Sequence, residues 1–252
     1  MPSRKQFLDS LHRDAGLFDA AVRAGLASGD LTQPVDGCPD WDLGALVEHL
    51  GTLQRYITAG IESGGKPTGG WPSAPEDRAA FADWFAEGAA ALEAALRARP
   101  DDEACWTFFP NAPQTIGTWV RRQAHELAIH RYDAEMAATG VAEALDPAIA
   151  VDGIDEYFDL FVPRVEGRTP IRIGAHTIHL HATGDAAGEW LVRCGDHAPV
   201  VTREHGKGDV ALTGEASDLL LTIWGRVDPE EVGVAVFGEP DVWSRFQAAA
   251  AI

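Results

Sequence analysis

The spacing of apolar residues changes period near residue 145, and this change limits the folds open to the chain. Before it, apolar side chains recur at helical intervals; after it, they fall at every second position in short runs. Four helical stretches are predicted in the first part. The first covers about 3–27 and carries Phe7, Leu8, Leu11, Phe18 and Val22. The second starts after Asp40 or Asp42 as N-cap and runs to about Ser63. The third spans about Glu76–Ala98, and the fourth begins near Thr115 and ends by Gly140. Long helices joined by loops of irregular length make a four-helix bundle. In the second part, Asp146-Pro147 opens a helix to about Phe161. Strands are then predicted at 177–183, 189–194, 200–203 and 209–213, followed by a helix at 216–225, a strand at 232–236 and a helix near 241–250. The expected class is α+β: a helical bundle over 1–145 and a smaller α+β domain over 146–252 with a mainly antiparallel sheet.

The chain has 252 residues, 46% of them hydrophobic, enough for a sizeable core. No apolar run reaches the ~18 residues of a transmembrane helix. The start, Met1-Pro-Ser-Arg-Lys-Gln-Phe7, has no signal-peptide apolar region, so the cytoplasm is the expected compartment. The three cysteines, Cys38, Cys105 and Cys194, are too scattered for a disulfide framework or a Cys-rich zinc module. A formal charge of −19 and no basic tract argue against nucleic acid and against anionic membranes.

The chemistry concentrates in Arg121-Arg-Gln-Ala-His-Glu-Leu-Ala-Ile-His-Arg-Tyr-Asp-Ala-Glu135. Residues four apart on a helix share a stripe, so Glu126 and His130 can grip one divalent cation, or form a solvated ion pair of small worth. Upstream, His49 lies among Leu46, Val47, Leu50 and Leu53. It is either a core histidine bonded to a backbone carbonyl or a third ligand from a neighbouring helix. Together His49, Glu126 and His130 would leave a fourth position open, as catalytic zinc sites do.

A Trp-Asp-x-x-x-x-x-x-His helix paired with R-R-x-A-H-E-x-x-x-H-R-x-D-A-E resembles the mycothiol-dependent maleylpyruvate isomerase family. The resemblance extends to Gly-Glu-Trp and Leu-Leu-Leu-Thr-Ile-Trp-Gly-Arg226 near the end of the chain. It implies an N-terminal DinB-like four-helix bundle and an α+β C-terminal domain. It implies a divalent metal, typically zinc, held by His49, Glu126 and His130, with mycothiol as thiol cosubstrate. It also implies that Arg226 reaches toward the metal cavity and helps hold an acidic substrate. Read alone, Arg226 is more simply a helix-end arginine meeting the dipole; the resemblance brings the two readings level.

Other features stay open at this level. Asp133, seven residues after Glu126, could orient a ligand imidazole or bond an arginine. His125, about 100° round the helix from Glu126, is structural or substrate-facing. Cys105, Trp106, Phe108, Phe109 and Pro110 in the loop before the fourth helix either roof a ligand cavity or pack on the bundle end. His179 and His181 share one strand face; a histidine pair at that spacing can bind metal, but a solvated or ladder-packed pair is far the commoner reading. Gly60-Ile-Glu-Ser-Gly-Gly-Lys66 mimics a P-loop, but Pro67 stands where Ser or Thr is needed and a helix precedes it.

The expected function is metal-dependent activation of mycothiol as thiolate for attack on a small electrophile, ending in cis-trans isomerisation or in S-transfer. Two other classes compete: a different metalloenzyme on the same bundle (a hydrolase or a metal-oxygen enzyme), and a non-catalytic apolar-ligand-binding protein with a structural metal.

Overall fold

The computed structural model describes residues 1–251, and the chain divides into two compact units, Pro2–Leu145 and Asp146–Ile252. The first unit is all helix. Ser3 caps α1 (Arg4–Ser28), accepting from the Gln6 N–H while the Gln6 side chain accepts from the Ser3 N–H. α2 (Leu43–Ser63) is capped by Asp42, whose carboxylate accepts from the Ala45 N–H at 2.7 Å. The other candidate cap, Asp40, instead takes the left-handed conformation, φ 71°, in the turn before it. α3 (Phe81–Arg97) follows a short 3-10 turn at Arg78–Ala80, and α4 (Ile116–Thr139) closes the bundle.

α1 packs against α4 and α3, and α2 against α3 and α4, so α1 sits diagonally from α2 and α3 diagonally from α4. That order explains the long connections before α2 and α4: each must carry the chain across the bundle end. Phe18, Val22, Leu46, Ile57, Phe85 and Leu92 fill the middle, each at most 1% exposed. Burial of one such side chain is worth roughly 1.5–3 kcal/mol. One charged pair lies among them. Arg131 of α4 and Asp14 of α1 are both fully buried, with Nε and Oδ1 3.5 Å apart. Arg131 also holds Glu135 at 2.7 Å and the carbonyls of Glu143 and Ala144, tying the end of α4 to the segment that leaves it.

In the second unit Asp146 caps α5 (Pro147–Glu156), with Pro147 at the first helical position. The predicted single helix is interrupted: Tyr157–Phe161 forms a π-helical turn before α6 (Val162–Glu166). A five-stranded sheet follows, built from β1 (Thr177–Thr183), β2 (Gly188–Arg193), β3 (Val200–Thr202), β4 (Val210–Glu215) and β5 (Ala235–Gly238). Its order is β3-β2-β1-β4-β5. All neighbours are antiparallel except β1 and β4, which are parallel, with Leu180 beside Leu212. β5 lies about one turn later than the predicted 232–236 strand. There Gly233 takes a positive φ, 76°, and Val234 N–H turns back to the Pro229 carbonyl. α7 (Ala216–Ile223) links β4 to β5, and α8 (Pro240–Ala249) follows.

One sheet face carries Ile178, Leu180, Ala182, Trp190, Val192, Val210 and Leu212, all essentially inaccessible. Trp190 ties this face to α5 through an indole N–H bond to Asp155, 2.8 Å. By the register of β1 and β2, the other face carries His179, His181, Glu189 and Leu191.

Candidate functional site

Within the helical unit, α2 and α4 bring three predicted ligand residues to one point. His49 Nε2 lies 3.1 Å from Glu126 Oε1, and His130 Nε2 lies 3.6 Å from the same oxygen. One donor atom from each falls within 4.8 Å of the others. Tetrahedral ligation with bonds of ~2.0–2.2 Å sets donor atoms roughly 3.4 Å apart, and the two measured separations bracket that value. The donor chemistry fits as well: two imidazoles and one carboxylate suit zinc and similar borderline cations.

Two of the three donors, His130 and Glu126, are held from behind. His130 Nδ1 is 2.9 Å from Asp133 Oδ2, which directs Nε2 toward the cluster. The second oxygen of Glu126 accepts from Arg122, one turn earlier on α4 and only 6% exposed. Burial opposes charge on Glu126, but Arg122, His130 and His49 outweigh it and hold its carboxyl well below the usual range. Burial likewise opposes protonation of His130, yet Asp133, Cys38 and Glu126 raise its pKa well above the usual imidazole value.

The turn leading into α2 covers the cluster. The Trp41 ring centre lies 5.0 Å from that of His49 and 6.5 Å from that of His130, nearly parallel to the latter. Cys38 Sγ lies 3.7 Å from Asp133 Oδ2, and Cys38, Asp133 and His130 form a second group within ligand reach of one another. The two groups share His130. The Nδ1–Asp133 contact is the kind that stands behind a metal-bound imidazole, which favours ligation through Nε2 with His49 and Glu126.

Two turns along the same helices, about 10–11 Å away by the helical rise, the stripes carry Tyr56 on α2 and Trp119 on α4. The two long loops meet there. Trp71 stacks on Tyr56 at 4.2 Å, while Phe108 packs 4.8 Å from Trp106 and 5.3 Å from Trp119. Trp71 remains 56% exposed at the rim. The loop aromatics therefore join a cluster on the ligand-bearing stripes. His125 turns the other way: it is buried, with its ring edge-to-face against Phe7 of α1 at 5.7 Å.

Arg226 belongs to the second unit. It follows Gly225 (φ 68°) at the end of α7, where Gly225 N–H bonds the Thr222 carbonyl and Arg226 N–H bonds that of Leu221. These are the two bonds of a Schellman cap, and they explain why glycine precedes this arginine. Its guanidinium donates to the Trp224 carbonyl at 2.9 Å.

Sequence reasoning did not single out Arg122 or Trp41 as parts of the cluster. Arg122 was accessible by spacing, since it lies four residues before Glu126 on the same stripe. Trp41 and Cys38 lie on a turn whose path no periodicity encodes.

The fold and cluster define a two-domain protein whose N-terminal helical bundle carries a His-Glu-His cluster of metal-ligand type. Residues 13–135 match the family model of the mycothiol maleylpyruvate isomerase N-terminal domain, and residues 148–245 match the MDMPI C-terminal domain. The chain belongs to the mycothiol-dependent maleylpyruvate isomerase family. Among solved structures, it is similar to that of the mycothiol-dependent maleylpyruvate isomerase, with a TM-score of 0.61, 13% identity, and coverage of 94% of this chain and 95% of that one. A histidine-to-alanine mutant of that enzyme matches with the same TM-score and coverage at 11% identity. No curated protein matches by sequence.

Proposed function

We propose that this chain is a divalent-metal-dependent enzyme that uses mycothiol to transform a small electrophilic substrate, with His49, Glu126 and His130 as the metal ligands. The carrying observation is the pair of donor separations, 3.1 and 3.6 Å, on one carboxylate oxygen. Family membership supports the choice of thiol, because similar structures are those of a mycothiol-dependent isomerase. A thiol of ordinary pKa, ~8.5, is mostly protonated at neutral pH, and the charge of a dication in the cluster would hold it as thiolate.

The protein's own groups have separate tasks in this reading. Asp133 fixes the tautomer of His130, and Arg122 occupies the second oxygen of Glu126, leaving one oxygen to ligate. Trp41 limits water on one side. Arg226, from the C-terminal domain, holds the carboxylate of an acidic substrate with its two-pronged guanidinium. In an isomerisation the sulfur adds to a cis double bond, the adduct turns about the new single bond, and elimination returns thiol and trans product. In a transfer the carbanion of the adduct takes a proton from solvent and the thioether is released.

The test combines metal analysis with a spectrophotometric screen. Purified protein is assayed on cis-unsaturated oxo acids and on uncharged electrophiles, with mycothiol, with glutathione and with no thiol. Turnover that needs mycothiol and about one metal per chain in the bundle, both lost in His49→Ala and His130→Ala, is the expected result. Metal retained in full by both variants would overturn the ligand assignment, and thiol-independent turnover would overturn the role of mycothiol.

A further inference from the structure

The open face of the C-terminal sheet gathers imidazoles around a single carboxylate. His179 Nε2 lies 3.0 Å and His205 Nδ1 2.6 Å from Glu189 Oε2. His181, two residues along β1 and directly opposite Glu189 in the register, has Nε2 3.9 Å from Oε1. Nine histidines serve the whole chain, and three of them meet at this one glutamate. His179, Glu189 and His205 each offer a donor atom within 4.8 Å of the others.

The loop that delivers His205 is shaped to close on the sheet. A Cβ at Gly206 would stand 2.5 Å from Leu191 Cδ2, and one at Gly208 would stand 2.8 Å from the His179 backbone nitrogen. Glycine at both positions lets the chain press onto β1 and β2, setting His205 over Glu189. His179 is 7% exposed while His205 stays largely open, so one ligand is rigid and another can adjust. Adjustment is needed: the present 2.6 Å must widen to the ~3.4 Å of tetrahedral ligation, a movement that the exposed His205 side chain can supply.

We infer that His179, Glu189 and His205 form a second divalent-metal site, of the imidazole-carboxylate type that takes zinc, separate from the cluster in the helical bundle. The ligands come from β1, β2 and the loop before β4, so an ion here pins that loop to the sheet and leaves a position open for His181 or water. This site does not depend on the proposed enzymatic function.

The experiment uses untagged, chelator-stripped, full-length protein at pH 7.5, titrated with zinc against a chromophoric chelator and checked by elemental analysis. Wild type is expected to bind two equivalents, and His205→Ala one. The double variant His49→Ala/His130→Ala should retain one equivalent, and adding His205→Ala should leave none. Glu189→Gln, which keeps the shape of the side chain, should weaken the same equivalent at least tenfold, and zinc should raise the Tm of the bundle double variant. Unchanged stoichiometry in His205→Ala, or loss of all zinc in the bundle double variant alone, would overturn the second site. If wild type binds one equivalent that His205→Ala removes and the bundle variants keep, the second site stands and the bundle assignment fails.

Discussion

Asp133 receives the Nδ1–H of His130 at 2.9 Å from one turn further along the same helix, leaving the imidazole's Nε2 directed at Glu126. The contact fixes both the ring orientation and the tautomer, and it relies only on the i, i+3 geometry of α4. Asp133→Ala is therefore expected to weaken zinc at the bundle cluster by about 10–100-fold while helix content stays at the wild-type level. Chelator competition and circular dichroism measure the two quantities. Undiminished affinity would show that Asp133 has no part in orienting the ligand.

The Arg131–Asp14 pair should dominate the stability of the helical unit. Arg131→Ala removes the fully buried cation beside Asp14, which keeps only Arg13 at 3.1 Å and the Ser10 hydroxyl at 2.9 Å, and is expected to cost up to about 3–5 kcal/mol, seen as a lower urea midpoint. The apolar double replacement Arg131→Met/Asp14→Leu should recover most of that loss, because it removes both buried charges together. A double variant no more stable than Arg131→Ala would mean that the Glu135, Glu143 and Ala144 bonds of Arg131 matter more than the pair.

Arg226→Lys separates substrate binding from the turn that Arg226 completes. The backbone bonds of the cap do not depend on the side chain, so folding and metal content should be unchanged. For a carboxylate-bearing substrate, kcat/KM should fall by about 1.5–3 kcal/mol, the worth of a charge-assisted hydrogen bond, or more than tenfold. Wild-type kinetics on such a substrate would leave Arg226 as a helix-end arginine.

Two of the protein's thiols, Cys105 and Cys194, are expected to be poor nucleophiles. Burial pushes the Cys194 thiol up to about 11 and also raises that of Cys105. Raising a thiol pKa depletes the reactive thiolate at neutral pH, so alkylation of both should be slow at pH 7.5. For Cys194 the rate should climb about tenfold per pH unit until the pH nears 11, in step with the thiolate fraction. Mass spectrometry of iodoacetamide-treated native protein follows each site. Rapid labelling of Cys194 at pH 7.5 would contradict this environment.

The helices and most strands were legible because each rests on local repetition. Phe7, Leu8, Leu11 and Phe18 mark α1 at helical spacing, and Thr177–Thr183 alternates as β1 does. The π-helical turn at Tyr157–Phe161 was not legible: its residues continue the apolar pattern of α5, and one extra residue in a turn leaves no mark in composition. The parallel pairing of β1 with β4 was hidden likewise, since period two says which face a residue joins and not which strand lies beside it.

The same division runs through the two clusters. Glu126 and His130 lie four residues apart in one uninterrupted helix, so their shared stripe follows from the sequence alone. His49 meets them across 77 positions of chain, and only the packing of α2 beside α4 decides that it does. Glu189 and His205 join His179 because β1 and β2 pair in one register and a glycine-bearing loop folds back over them. Periodicity is a property of neighbouring residues, whereas a site assembled from separate elements depends on helix order, strand register and loop path, which local spacing does not contain.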